Sequence, residues 1–156
     1  MNTEVERVVW NPPSYGVVCV GDVLAQLWET ESPTPAFLSI LSWCEARHAR
    51  TSAPLWMIGV VGEASTMPDG EARKIPAEFP RYFTEFVLVI EGSGFRTSLV
   101  RSVLAGMTML APRRSTTHIA STLSDGVQLL GSLADGSFNA THLRGRLGEM
   151  RAELRR

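Results

Sequence analysis

Gly92-Ser93-Gly94, followed by Arg96, is the stretch of this chain whose residue types and spacing best suit ligand chemistry. Flexible glycines and free amides between a strand and a helix can cradle an anion, and a nearby arginine adds charge to hold it. The plainer alternative is a strand-to-helix turn that uses glycine for backbone reasons. The segment lacks the Gly-Lys-Ser/Thr of a phosphate-binding loop and the third spaced glycine of a dinucleotide fingerprint. Ser93 is no nucleophile elbow, because positions 91 and 95 are Glu and Phe where that motif needs glycines.

Other chemistry-bearing residues are scattered. His48, His118 and His142 have no metal-ligand spacing, and nothing pairs them with Cys19 or Cys44, so no metal and no cofactor is implied. His118 is the one general-base candidate. No pair of carboxylates stands out; Asp69 and Glu71 read as charges at a helix start. Arg113-Arg114 and the later Arg144, Arg146, Arg151, Arg155 and Arg156 lack interleaved aromatics and are mixed with Glu149 and Glu153. That pattern suits a solvated helix face or a protein-binding surface better than nucleic acid. Trp10, Trp28, Trp43 and Trp56 are expected in core or interface packing, with the wall of a ligand pocket as the alternative.

The elements that must position these residues follow from composition and pattern. A chain of 156 residues, 44% hydrophobic and 20% charged with net charge −1, fits one soluble domain and excludes a disordered chain or a disulfide scaffold. No global field steers it to nucleic acid or an acidic membrane. The N-terminus is acidic and polar where a signal peptide needs a basic start, and the longest apolar run, Leu55 to Val61, is far shorter than the ~20 residues of a membrane span. A cytoplasmic location is expected, with Cys19 and Cys44 as buried free thiols. Only Lys74 among the 15 basic residues is lysine, which points to a GC-rich genome.

Val5 to Trp10 and Tyr15 to Val20 read as strands around the Pro12-Pro13 turn. Gly21-Asp22 then marks either a second hairpin or a bulge in one long strand. Ser32-Pro33-Thr34-Pro35 predicts a helix start, with Thr34 as cap and Pro35 at the first position. Phe37, Ile40, Leu41, Cys44 and His48 form its inner face, with Glu45, Arg47 and Arg50 outward. Leu55–Val61 is a central strand with the polar loop 62–70 at its carboxyl end. A helical stripe from Ala72 to Phe86 is kinked or divided by Pro76 and Pro80, and Phe86–Ile90 is a second buried strand. Arg96 to Leu110 is an amphipathic helix, and Thr116 to Ser121 a last strand. Thr122 or Ser124 caps a helix carrying Val127, Leu130 and Leu133, which Asp135-Gly136-Ser137 ends. Asn139 caps a final helix with Leu143, Leu147, Met150 and Leu154 in a stripe. Gly145 and Gly148 weaken that helix by about 1 kcal/mol each, so it needs a packing partner, its own sheet or another chain. The expected fold class is α/β: a single mixed sheet of four to five strands with helices packed on it, the core over 5–134 and residues 139–156 an amphipathic extension.

This order of elements, with the strand 17–28, the helix 35–49, the strand 55–61 and its loop, and the strand 86–90, resembles the STAS family, the sulfate-transporter and anti-sigma-factor-antagonist domains, and related small bacterial proteins. The resemblance spans roughly residues 5–134. It implies a kinase-targeted hydroxyl in the loop after the strand 55–61, where Ser65 and Thr66 stand; the family's acidic residue is displaced here and no glycine follows directly. It also implies a non-catalytic regulatory domain that binds a protein partner or its own copy. The alternative is a module for a small anionic or lipid-like ligand at Gly92, Ser93, Gly94 and Arg96, and a third reading is an atypical hydrolase or transferase using Ser93 and His118.

Overall fold

Short runs of Val, Ile and aromatic residues separated by turn formers favour a sheet, and the chain builds one from both halves. A computed structural model of the chain describes residues 4–66, 68, 70–92 and 116–156. Strands β1 (Val5–Asn11), β2 (Tyr15–Val20) and β3 (Val23–Trp28) form an antiparallel meander. Gly21, at φ +61°, makes the tight β2–β3 turn, so this segment is a hairpin and not one bulged strand. Strands β4 (Trp56–Val61), β5 (Glu85–Ile90) and β6 (Thr116–Ala120) continue the sheet in parallel, and strand order equals chain order from β1 to β6. The fold is α/β with one mixed sheet. Among the described residues it has six strands where four to five were expected, because residues 15–28 supply two strands and β1 pairs along its length as an edge.

All residues of β3 and β4 are buried, which requires cover on both faces. On one face Leu24, Trp28, Met57 and Leu88 pack against Phe37, Ile40 and Cys44 of α1 (Thr34–Arg50) and against Phe79. On the other, Leu27, Ile58, Val60 and Val89 meet α2 (Leu123–Leu133) and α3 (Ala140–Leu154) through Val127, Leu130, Leu147 and Leu154. The final helix thus finds its partner in its own sheet. Gly126 brings α2 down onto the strands: a Cβ there would run into Val89 Cγ2. Burying each such aliphatic side chain stabilises by roughly 1.5–3 kcal/mol, and a one-residue slip of any strand would exchange the two faces, so register is strongly specified.

Two caps behave as the sequence predicts. Thr122 Oγ1 accepts from Asp125 N at 3.1 Å, and Asn139 Oδ1 accepts from His142 N at 2.9 Å. Three expectations are corrected. Thr34 is the first helical residue and no cap: the Pro33 carbonyl accepts from Ala36 N and Phe37 N, making Pro33 the half-in residue. Arg47 is buried and His48 exposed, the reverse of the predicted face. The Arg47 guanidinium donates to Asp22 Oδ1 at 2.9 Å and to the carbonyls of Ala53 and Pro54, both at 3.2 Å, acceptors that compensate for its burial. The stripe around Pro76 and Pro80 yields only a 3-10 helix, Ile75–Arg81, since each proline removes a helix donor.

Cys19 and Cys44 are free and buried, and burial pushes both thiols up to about 12. Among the described residues no helix is long and apolar enough to cross a membrane. The predicted helix 96–110 lies outside the described residues.

Candidate functional site

Parallel strands in register bring their carboxyl ends level, and here that edge carries charge. Trp28 pairs with Val61 and Val61 with Ile90; Gly62 N then donates to Trp28 O at 2.8 Å and Glu91 N to Val61 O at 3.0 Å. Glu29, Gly62 and Glu91 therefore stand in a row at the edge where open α/β sheets place ligands. Arg151 of α3 bridges the row. Its Nε donates to Glu29 Oε1 at 2.5 Å, its Nη1 to Glu91 Oε2 at 2.8 Å and its Nη2 to Glu91 Oε1. Arg155 Nε adds a bond of 2.9 Å to Glu29 Oε2.

Glycine at 62 makes room for this bridge: a Cβ there would stand 3.2 Å from Glu29 Oε2 and 3.3 Å from Trp28 O. Glu29 and Arg151 are each 8% exposed, a degree of burial that an ionised side chain tolerates only when paired. The hydrogen bond from Arg151 holds the Glu91 carboxyl below the usual carboxylate range, with burial opposing. The bonds to Glu91, followed by that to Glu29, raise Arg151 above its ordinary value against the effect of burial. Two carboxylates and two guanidiniums thus neutralise one another. Such a cluster is suited to clamping α3 over the sheet edge; proton transfer needs a group whose pKa lies near the working pH, and Glu91 is moved away from it.

The loop after β4 borders the same edge. Ser65 N donates to Gly62 O at 3.0 Å, closing a turn, and Thr66 donates twice to Thr30 O, from N at 2.9 Å and from Oγ1 at 3.0 Å. Ser65 is 4% exposed and its Oγ has no hydrogen-bond partner among the described residues, whereas Thr66 is exposed. Gly92 has φ +85°, a left-handed conformation suited to glycine, and a Cβ there would stand 2.9 Å from Glu63 Cγ. The structure therefore brings Gly92 against the loop of Ser65 and Thr66. Ser93, Gly94 and Arg96 lie outside the described residues.

The other candidates sit elsewhere. His118 Nε2 lies 3.0 Å from Glu85 Oε2 on the neighbouring strand. His142 is at the start of α3 and His48 beside the Tyr82 ring, 5.8 Å between centroids. Among the described residues no group of three or more His, Cys, Asp or Glu could hold a metal ion. Arg146 pairs with Glu149 at 2.6 Å and Arg144 donates to Ser124 Oγ at 3.3 Å.

Sequence reasoning missed Glu29, Glu91, Arg151 and Arg155 as a cluster. One signal was available: Arg151 falls four residues after Leu147 and three before Leu154, within the buried stripe of α3. An arginine in an apolar stripe calls for a buried acid. Comparison with family models, with curated proteins and with solved structures returned no match.

Proposed function

We propose that the chain is a non-catalytic, STAS-like regulatory domain that binds a protein partner, with the loop after β4 as its switch. The observation that carries this reading is the exposed Thr66 hydroxyl, which fastens the loop to the β3–α1 connection through the Thr30 carbonyl at 3.0 Å. Phosphorylation there replaces the donating O–H and adds about −1.5 to −2 charge. The new charge falls near Glu31 and Glu63, so repulsion acts to part the two loops. The buried Ser65 hydroxyl, unpartnered among the described residues, lowers the cost of opening, since such a group forfeits about 1–3 kcal/mol in the closed state. The mutual neutralisation of Glu29, Glu91, Arg151 and Arg155 favours a fixed scaffold at this edge over an acid–base centre.

The alternative, a small anionic or lipid-like ligand at Gly92, Ser93, Gly94 and Arg96, gains no support from the described part of that turn. Glu63 packs on Gly92, and its carboxylate repels an anion.

The test compares tagged wild type, Thr66→Val and Thr66→Glu in the native host, with crosslinked partners quantified. Thr66→Val removes the hydroxyl alone, and Thr66→Glu adds charge. The switch reading expects wild type and Thr66→Glu to differ in partner occupancy by severalfold. Identical partners at identical occupancy in all three would refute it, and capture of neither a partner nor a second copy by any of them would refute the interaction role.

A further inference from the structure

The final helix, α3, turns Leu143, Leu147, Met150 and Leu154 to the sheet, and its opposite face is open. Thr141, Gly145, Gly148 and Ala152 recur along that open face at intervals of four, three and four, and all are exposed. This spacing gives the d and a positions of a heptad, the seam along which two helices pack. Arg144 then falls at g and Glu149 at the following e, the positions that flank such a seam. Both are exposed. Arg144 donates to Ser124 Oγ at 3.3 Å, and Glu149 accepts from Arg146 at 2.6 Å through Oε2, which leaves its Oε1 to a second donor.

These two charges select what can cover the face. In a parallel pair of identical helices related by a two-fold along the seam, each g residue meets the following e residue of the other helix. Arg144 then meets Glu149 of the second copy, and Glu149 its Arg144, so the contact is attractive twice over. No like-charge pair of this kind completes within the helix. Arg151, the other g residue, is held by Glu29 and Glu91, and the e position it would face, 156, lies past the helix end at Leu154. An antiparallel pair would set g against g and e against e, placing Arg on Arg and Glu on Glu. The glycines are an independent observation. A Cβ at Gly145 or Gly148 would meet nothing within 4 Å among the described residues, so neither serves packing on its own sheet. Glycine inside a helix is costly in backbone entropy, and its use there is to let another backbone come close.

We propose that the open face of α3 is a self-association surface, on which a second copy of this chain seats the same face in parallel. Gly145 and Gly148 form the close crossing, and the Arg144–Glu149 pairs flank it on both sides. The chain carries its own charge complement, which is why the occupant is another copy. The contact is a single helix face with small side chains, so the dimer is weak, with a dissociation constant in the micromolar range or above. The two-fold closes the assembly at two copies. Nothing in it depends on Thr66, and it stands or falls separately from the proposed switch.

The test is sedimentation equilibrium of the full chain from low micromolar to millimolar concentration, at low salt. Wild type is expected to pass from monomer to dimer across that range. Arg144→Glu or Glu149→Arg alone makes both pairs repulsive and should weaken the dimer severalfold, and the two changes together should restore it. An antiparallel pair would gain nothing from the double change. Gly148→Lys separates the surface from the fold. Lysine is the better helix former, so the urea midpoint of the dilute monomer should rise while the dimer is lost. A wild type that stays monomeric throughout, a double variant as weak as the single ones, or a Gly148→Lys chain that dimerises like wild type would overturn the proposal.

Discussion

Arg151 Nε lies 2.5 Å from Glu29 Oε1 across 122 residues of chain, with both side chains about 10% exposed. The pair joins the last helix to the end of β3, and neither partner has water to fall back on. Arg151→Met should therefore cost about 3–5 kcal/mol, mostly from leaving the Glu29 charge buried without its main partner. In urea this lowers the unfolding midpoint by roughly 1–2 M. The double variant Glu29→Gln, Arg151→Met should recover much of the loss. Equal midpoints for wild type and Arg151→Met would show that the pair contributes nothing.

Glu91 supplies a pH signature. Its folded pKa is lowered, chiefly by the Arg151 hydrogen bond, so its contribution is complete above the unfolded value near 4.5 and is lost as pH falls through the folded one. Urea midpoints of wild type and Glu91→Gln should thus differ at neutral pH and converge in acid. A gap that stays constant down to the acid limit would contradict the lowered carboxyl.

Ser65 gives a prediction of opposite sign. Its buried hydroxyl makes no bond among the described residues, so Ser65→Ala removes an unsatisfied group without removing an interaction. The variant should be more stable by about 1 kcal/mol, read as a higher urea midpoint. A drop of similar size would mean that the hydroxyl has a partner in solution.

The thiols should be silent in the native state. With Cys19 and Cys44 buried and pushed up to about 12, neither presents thiolate at mildly alkaline pH. Ellman's reagent should label neither in the folded protein and both after denaturation. Fast labelling of either would place that thiol at an opening of the α1 face.

Much of the fold was legible because it rests on local patterns: the stripe Leu143, Leu147, Met150, Leu154, the caps Thr122 and Asn139, and the apolar run of β4. The Arg47 and His48 inversion shows where local pattern fails. The stripe Phe37, Ile40, Cys44 continues equally well to a residue three or four positions on. The acceptors that decide for Arg47, namely Asp22, Ala53 and Pro54, converge only in the folded chain. The edge cluster was hidden for the same reason. Glu29 and Glu91 reach Arg151 over separations of 122 and 60 residues, and no spacing rule connects them.

Because strand order equals chain order, each strand joins the edge left by the one before it, and none must insert between two already paired. Such a sheet grows by edge addition with modest loop closure at each step, which favours rapid collapse for a parallel arrangement. The Arg151 bridge is of another kind, since it needs β3, β5 and α3 all in place. It belongs to the final approach to the native state, so losing it should quicken unfolding and leave the folding rate nearly untouched.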